Sequence, residues 1–195
     1  MTLSTLDPVG ALVVIDLQRG IAADRETTPH ALPDVIARSA QLADAFRERG
    51  LPVVLVRVSI DGAGFSPGRV DRPRAGGGTP PAGWDEIVDE LAGHPTDAVV
   101  TKRNVGAFVG TDLDLQLRRR GVTQVLLTGV ATSMGVEGTA RAAHDHGYHV
   151  VLVTDAMADT AEAIHDHSVG AIFPKIGETA TTAEVLAALP APVGT

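Results

Sequence analysis

Three features of the sequence combine residue types that could do chemistry, and each follows a short apolar run. Asp16 and Lys102 stand directly after two such runs, and the turn from Gly129 to Gly135 leaves a third. A carboxylate can donate or accept a proton, and an ammonium group stabilises negative charge. A chain that turns from a strand into a helix presents N–H groups that can hold an anion or a developing oxyanion. The ordinary alternatives are a capping aspartate, a solvated lysine and a plain strand–loop–helix unit.

The elements that would position these residues alternate along the chain. Short apolar runs, typical of strands buried on both faces, predict strands at residues 11–16, 52–58, 97–101, 124–129, 149–155 and 171–173. Apolar residues at helical spacing predict helices at residues 31–49, 84–91, from 111 onwards, from about 134 to 147, and at 160–168 and 181–189. Thr181 or Thr182 together with Glu184 is typical of a helix start.

This alternation predicts one α/β domain over residues 1–195, with a parallel sheet covered by helices on both faces. The chain is long enough for a sizeable single core, and it contains no internal repeat. The carboxyl ends of parallel strands meet at one edge of a sheet, where α/β proteins place groups that face a ligand. We therefore expect Asp16, Lys102 and the turn at Gly129–Gly135 to share one site.

Composition disfavours several classes of function. The formal net charge of −8 argues against nucleic acid and against an anionic membrane surface as partners. The sequence has no apolar run of about 18 residues, the length that crosses a bilayer, and its first residues do not look like a secretory signal, so we expect a cytoplasmic protein. There is no cysteine, which excludes disulfides, thiolate metal sites and a cysteine nucleophile.

We expect neither a metal nor a cofactor, and a small molecule as the partner. Five histidines suggest a metal site at first sight: His144, His146, His149, His165 and His167. However, His144 and His146 are two positions apart, so they would not face each other on a helix. No G-x-G-x-x-G fingerprint follows the first predicted strand, which disfavours a dinucleotide-binding oxidoreductase.

Three segments carry a resemblance to a known family. They are Asp16 within V-I-D-L-Q, Lys102 followed by G-A-F, and the turn G-V-A-T running into V-E-G-T-A-R. In this order they resemble the isochorismatase-like hydrolase superfamily, which includes nicotinamidases, N-carbamoyl amidases and isochorismatases. The resemblance covers roughly residues 11–189, and the three segments are specific in combination although each alone would be weak.

The resemblance implies a three-layer αβα sandwich with a six-stranded, mostly parallel, Rossmann-like sheet in the order 3-2-1-4-5-6. In that order strands one and four are neighbours at the switch point, so Asp16 and the Gly135 turn would face one crevice. The resemblance also implies a cis peptide bond between Val130 and Ala131, and an oxyanion hole made by the N–H groups of Ala131 and Gly135. Members of the family are commonly oligomeric, so a homo-oligomer (dimer or tetramer) is expected.

One departure from the family affects the mechanism. Amidases of the family carry a cysteine nucleophile at the position matching Gly135; the aspartate takes its proton and the lysine steadies the charges. A glycine cannot attack, so the acyl-enzyme route is closed. Isochorismatases also have glycine there and cleave a vinyl ether with the aspartate as general acid, but the segment A-T-S-M before Gly135 looks more like the amidases. The chain therefore resembles a subgroup that lacks the nucleophilic cysteine.

Two hypotheses of function remain open. In the first, the protein is a hydrolase without a covalent intermediate, acting on a small cyclic, enol-ether or amide substrate. Asp16 is its general acid or base, Lys102 orients Asp16 and stabilises negative charge, and the turn at Gly135 holds an oxyanion. Burial would favour the neutral acid that an enol ether needs, whereas a nearby Lys102 would favour the carboxylate that activates water. In the second hypothesis the fold has lost catalysis and serves as a small-molecule binding or structural protein.

The walls of the pocket are predicted less directly. The residues assigned to substrate binding are Gln18, Trp84, Phe108, Val130 and Ala131. Trp84 and Phe108 could cover an aromatic or cyclic substrate, with core packing as the alternative for Phe108. The Gly-, Pro- and Arg-rich segment 61–83 could be a lid, an oligomer contact or a plain surface excursion.

Overall fold

A six-stranded parallel sheet forms the centre of the computed structural model, which describes residues 3–23, 25–60, 68–71 and 79–191. The strands are β1 (Gly10–Ile15), β2 (Val53–Val58), β3 (Ala98–Lys102), β4 (Gln124–Val130), β5 (His149–Ala158) and β6 (Glu178–Ala180). They lie in the order β3-β2-β1-β4-β5-β6, and neighbouring strands run parallel. The predicted α/β class and the strand order implied by the resemblance are therefore confirmed.

Helices cover both faces of this sheet. Those among the described residues are α1 (Arg19–Ala22), α2 (Leu32–Arg47), α3 (Leu113–Arg119), α4 (Glu137–Asp145), α5 (Glu162–His167) and α6 (Thr182–Ala188). Side chains of α2 and α6 pack into one core, and those of α3 and α4 pack into another. The central strands β1 and β4 are buried along their whole length, which explains why their sequences are nearly continuous apolar runs. Within the described ranges, no helix combines the length and the hydropathy needed to cross a bilayer.

One predicted helix, at residues 84–91, is wrong. These residues form turns, together with an isolated bridge between Gln18 and Ile87. Several of their backbone groups pair with the chain that leaves β1, for example through the N–H of Gly20 and the carbonyl of Trp84 at 2.8 Å, while the N–H of Leu91 bonds to the Val88 carbonyl in a turn. The Trp84 ring also packs on the backbone of Gly20, where a Cβ would overlap it. Tertiary pairing has therefore overridden the local helical pattern.

The predicted sixth strand at residues 171–173 is also wrong. These residues lie in a π-helical turn (Ser168–Ile172) and a 3₁₀ turn (Phe173–Lys175), and the sixth strand is Glu178–Ala180. The short apolar run buries Phe173 completely in the core, and Pro174 stands early in the helical turn, where proline is favoured. A run this short fits a buried strand and a buried helical turn equally well.

The remaining elements agree with prediction to within a few residues. The last helix begins as its sequence indicates: the Thr181 hydroxyl accepts the N–H of Glu184, and the Glu184 carboxylate accepts the N–H of Thr181. Most of segment 61–83 lies outside the described residues, so its suggested role as a lid or an oligomer contact stays a prediction.

Gly129 pairs with Ile15 of β1 at the carboxyl edge of the sheet in a backbone conformation that leaves no room for a side chain. Its φ angle is +111°, and a Cβ at this position would overlap the carbonyl oxygen of Ile15. Only glycine has no Cβ to place in that contact and adopts such a φ angle easily. The register between β4 and β5 also shifts here, between Leu127 and Gly129. The turn that follows β4 therefore starts directly against the end of β1.

We predict that Gly129→Ala destabilises the fold far more than Gly50→Ala. Both glycines have positive φ angles, but a Cβ at Gly50 would meet nothing within 4 Å. Gly50→Ala should therefore cost only the left-handed conformation, about 1–2 kcal/mol. Gly129→Ala adds a backbone collision and should lower the free energy of unfolding by more than about 4 kcal/mol. Urea unfolding followed by circular dichroism measures both changes, and equal losses would contradict the close approach.

Candidate active site

Asp16 is the first residue after β1, and its backbone turns sharply there. Its φ angle is +56°, a conformation that non-glycine residues seldom adopt and that Asp tolerates better than most. The N–H of Asp16 still donates to the carbonyl of Val56 at 2.8 Å, so the residue remains attached to β2. The residue is 6 % exposed, and its carboxylate is aimed at the carboxyl edge of the sheet, where it meets Lys102.

Lys102 ends β3, two strands away from Asp16, and its side chain returns to the centre of the sheet edge. The Lys102 Nζ lies 2.8 Å from Asp16 Oδ2, and the two side chains are 3 % and 8 % exposed. The same nitrogen donates to the carbonyl oxygens of Asn104 and Val105 at 3.2 and 3.0 Å. An ammonium group has three N–H donors, and here each has an oxygen acceptor from the chain itself. Lys102 therefore fixes both the carboxylate and the loop that follows β3.

The turn after β4 completes the constellation. Residues Thr132–Val136 form one π-helical turn that leads into α4, and Gly135 is buried within it. A Cβ on Gly135 would lie 3.1 Å from Asp16 Oδ2 and 3.2 Å from the carbonyl oxygen of Val130. The structure thus brings Asp16, Lys102 and Gly135 together, as the sequence predicts for three groups that follow parallel strands.

Backbone hydrogen bonds define the shape of this turn. The peptide bond between Val130 and Ala131 is cis. The Ala131 carbonyl accepts the N–H groups of Met134 and Val136 at 3.1 and 3.2 Å, which closes the π turn on itself. Val130 is fully buried, whereas Ala131 is half-buried at the start of the turn. The N–H groups of Ala131 and Gly135 therefore belong to a backbone that is held in this turn by hydrogen bonds within the chain.

Three buried side chains that sequence reasoning did not assign to the site hold the turn from behind. The Thr139 hydroxyl donates to the Gly135 carbonyl at 2.6 Å and accepts the N–H of Ala107 at 3.1 Å. The Asp159 carboxylate accepts the N–H of Ser133 at 2.8 Å. His165 Nδ1 lies 2.9 Å from the Thr132 hydroxyl. Sequence considered His165 only as a metal candidate, Thr139 stands in the V-E-G-T-A-R segment without an assigned role, and no local pattern marks Asp159.

His165 is buried behind the turn. Burial lowers the pKa of its imidazole, and the nearby His30 lowers this pKa further, although neighbouring carboxylates oppose both effects. The His30 and His165 rings meet edge to face, with centroids 6.1 Å apart. Within the described ranges, no group of three or more His, Asp or Glu side chains is arranged to hold a metal ion.

The predicted wall residues have different environments. The buried Gln18 amide is bonded at both ends to the backbone: it donates to the carbonyls of Val58 and Trp84 and accepts the N–H of Val58. Gln18 therefore ties the Trp84 segment to the end of β2. Phe108 lies in the core, stacked on His146 at a centroid distance of 5.0 Å and packed on Tyr148. His146 follows the far end of α4 from Gly135, so the structure places Phe108 in core packing, the alternative considered for it.

Two surface clefts of about 480 Å³ each lie away from these residues. One is lined by the amino ends of β4, β5 and β6, at Gln124, His149 and Glu178. The other lies beside Arg47 and Arg120. The amino ends of parallel strands form the edge of the sheet opposite Asp16, so neither cleft contains the candidate catalytic groups.

Comparison with known proteins finds a matching family model, similar sequences and a similar solved structure. The family model described as Isochorismatase domain matches residues 10–184. The chain is 43 % identical over 178 residues to the uncharacterized isochorismatase family protein YwoC of Bacillus subtilis, covering 90 % of this chain and 92 % of that protein. It is 31 % identical over 176 residues to the ureidoacrylate amidohydrolase RutB of Variovorax paradoxus, covering 78 % and 70 %. A solved isochorismatase family protein from Burkholderia thailandensis superposes with a TM-score of 0.90 at 46 % identity, covering 95 % of this chain and 97 % of the other.

We predict that Lys102→Met strongly destabilises the fold, because it leaves the Asp16 carboxylate buried without its cation. Removing one partner of a buried pair costs about 3–5 kcal/mol. Arg141→Met is the matched control, since Arg141 pairs with Glu137 while 50 % exposed and should cost less than about 1 kcal/mol. The double variant Asp16→Asn/Lys102→Met should recover part of the loss. Urea unfolding at neutral pH measures all three, and similar losses for the two single variants would contradict the buried pair.

We predict that His165 makes the folded state less stable in acid. The pKa of His165 is lowered in the folded state, whereas in the unfolded state it has its ordinary value of about 6.5. At pH values near and below 6.5, the unfolded state therefore binds more protons than the folded state. Stability should therefore fall as the pH drops from 7.5 to 5.5. His165→Gln should reduce this dependence, while His167→Gln, exposed on the same helix, should keep it. Free energies of unfolding at several pH values give the slopes, and parallel slopes for wild type and His165→Gln would contradict the assignment.

Proposed function

Because this chain belongs to the isochorismatase family, we propose that it is a hydrolase that uses water, without a covalent intermediate, to cleave a small amide or carbamoyl substrate. In this proposal Asp16 is the general base, Lys102 positions it, and the turn at Gly135 binds the oxyanion. The named activity of one relative, a ureidoacrylate amidohydrolase, supports a C–N bond as the target.

The single observation that carries the proposal is the environment of Lys102 Nζ. Three oxygens lie within 3.2 Å of this nitrogen: Asp16 Oδ2 and the carbonyls of Asn104 and Val105. A neutral amine has only two N–H donors, whereas an ammonium group has three, so three acceptors favour the charged form. A charged Lys102 in turn favours the ionised form of its carboxylate partner. An ionised Asp16 is suited to take a proton from water, and a general acid would have to be protonated.

The same geometry gives Asp16 and Lys102 different roles. Lys102 has no N–H left for a substrate, so in this mechanism it acts as a positioning residue that keeps Asp16 ionised and in place. The N–H groups of Ala131 and Gly135 then stabilise the negative charge that develops on the substrate oxygen. The positive end of α4, which begins directly after the turn, adds to this potential.

The reaction balances with these groups alone. Water attacks the substrate carbonyl carbon, its proton passes to Asp16, and the carbonyl electrons move to the oxygen held by the turn. When the tetrahedral intermediate collapses, the C–N bond breaks and Asp16 returns the proton to the departing nitrogen. The products are an acid and an amine or ammonia, and Asp16 is ionised again.

A second candidate function follows from the same ion pair. A buried Asp16–Lys102 pair is also what a fold without catalysis would retain, because a lone buried charge is costly. In that case the protein would bind a small molecule without turning it over, and substitution of Asp16 would have no catalytic consequence.

We predict that Asp16→Asn lowers kcat by about 10²–10⁴-fold, the usual contribution of a general base. The assay panel contains ureido acids, N-carbamoyl amino acids, simple amides, cyclic imides and isochorismate. Asp145→Asn, exposed at the end of α4, is the control and should keep wild-type kcat. In H₂¹⁸O, a single turnover should place the label only in the product, and mass spectrometry of the quenched enzyme should show an unmodified chain.

The outcomes of this assay panel distinguish hydrolysis by a general base, cleavage by a general acid and ligand binding without turnover. Turnover of an amide, carbamoyl or imide substrate that Asp16→Asn abolishes supports the proposal. Turnover of isochorismate alone would instead make Asp16 a general acid. A panel without turnover, with identical ligand binding by wild type and Asp16→Asn, would favour the binding function.

A further inference from the structure

We propose that Thr139 is a positioning residue that holds the two halves of the candidate site, the loop after Lys102 and the turn at Gly135, at a fixed separation. This inference rests on the proposed function and adds to it a residue that controls the rate of the chemical step. Thr139 lies in α4 and is fully buried, so it acts through the groups that it binds and not through contact with a substrate.

The Thr139 hydroxyl has two backbone partners that are far apart in the sequence. It donates to the carbonyl of Gly135, four residues earlier, at 2.6 Å and accepts the N–H of Ala107 at 3.1 Å. A hydroxyl carries one proton and two lone pairs. Because its proton is directed to the Gly135 carbonyl, its lone pairs are left for Ala107, and the two hydrogen bonds strengthen each other. One side chain therefore joins the turn after β4 to the loop after β3.

The loop that is anchored at Ala107 also holds Lys102. The carbonyls of Asn104 and Val105 accept N–H groups of Lys102 Nζ at 3.2 and 3.0 Å, and the same nitrogen lies 2.8 Å from Asp16 Oδ2. Ala107 follows these two carbonyls within three residues. A displacement of Ala107 would therefore move the acceptors of the ammonium group that keeps Asp16 in place.

Close packing between Gly106 and Gly138 limits how far the loop lies from α4. A Cβ on Gly106 would lie 2.9 Å from the Gly138 carbonyl oxygen, and a Cβ on Gly138 would lie 3.1 Å from a methyl carbon of Val105. The first distance is too short for a Cβ, so a side chain at position 106 would push the loop away from the helix. The hydrogen bond to Thr139 and this backbone contact are neighbours along both segments, and together they set the separation.

The first test removes the hydroxyl and keeps the shape of the side chain. Thr139→Val leaves the Gly135 carbonyl and the Ala107 N–H without their shared partner, so the loop and the turn should shift relative to each other. A reacting group misplaced by about 1 Å costs about 10²-fold in rate, so kcat should fall by up to about 10²-fold while KM changes little. Thr139→Ser keeps the hydroxyl and should restore kcat. The substrate is the compound that the panel above identifies.

Thr128→Val is the matched control for this substitution. Thr128 is also fully buried, in β4, but its hydroxyl oxygen has no hydrogen-bond partner among the described residues. The same change of atoms should therefore keep kcat. All variants are assayed at a temperature at which circular dichroism shows them to be folded. Wild-type kcat in Thr139→Val, or an equal loss in Thr139→Ser, would overturn the inference.

A second variant separates the loop from α4 without changing Thr139. Gly106→Ala places a Cβ against the Gly138 carbonyl and should lower kcat as Thr139→Val does, so the inference can be tested even if Thr139→Val does not fold. Gly170→Ala is its control, because a Cβ there would meet nothing within 4 Å, and it should keep kcat. Wild-type kcat in folded Gly106→Ala would contradict the positioning role.

Crystal structures of the wild type and Thr139→Val test the positioning role without a substrate. After superposition on α4, the variant should show Ala107 and Lys102 Nζ displaced, and an unmoved loop would overturn the inference. If no compound of the panel reacts, the proposed function fails, while the structures still report whether Thr139 holds the loop. If Asp16→Asn abolishes turnover but Thr139→Val retains it, the hydrolase stands and the role of Thr139 is wrong.

Discussion

The buried ion pair between Asp16 and Lys102 is the constraint on which the rest of the site depends. Two charges cost several kcal/mol each to remove from water, so they remain buried only where their partners are fixed. The sheet fixes them by register: Ile15 pairs with Val56, and Val58 pairs with Lys102. Both charged residues therefore stand at nearly the same height above the sheet, with β2 between them. The length of the lysine side chain spans this gap.

The second requirement is that the turn after β4 reach the same point. Gly129 meets this requirement because it has no side chain: a Cβ at this position would collide with the carbonyl oxygen of Ile15. The turn then closes on the Ala131 carbonyl and is held from behind by Thr139, Asp159 and Thr132 with His165. The strand register and the missing Cβ thus bring the ion pair and the turn to the same point.

Sequence predicted the parts of this arrangement that follow from strand ends. Asp16 and Lys102 were recognisable because each ends an apolar run, and parallel strands bring such ends together. The roles of Thr139, Asp159 and His165 were not predicted, because the fold brings their distant partners to them: the N–H groups of Ala107 and Ser133 and the Thr132 hydroxyl. Such contacts leave no periodic signal in the sequence. The errors at residues 84–91 and 171–173 have two other origins. In the first, backbone pairing with residues 17–20 replaced helical bonds; in the second, a three-residue apolar run was too short to indicate its period.

In the proposed mechanism, the three N–H donors of Lys102 are already bonded, and this determines which groups stabilise the negative charge on the substrate oxygen. A lysine with a free N–H would stabilise the substrate oxygen directly, but Asp16, Asn104 and Val105 already take all three donors. Transition-state charge must then be met by backbone N–H groups, which no side-chain substitution can remove. Asp16, positioned by Lys102, would therefore activate a water molecule or a nucleophilic side chain equally well. In the proposed mechanism, the choice of nucleophile then rests on position 135, where glycine leaves water as the group that Asp16 activates.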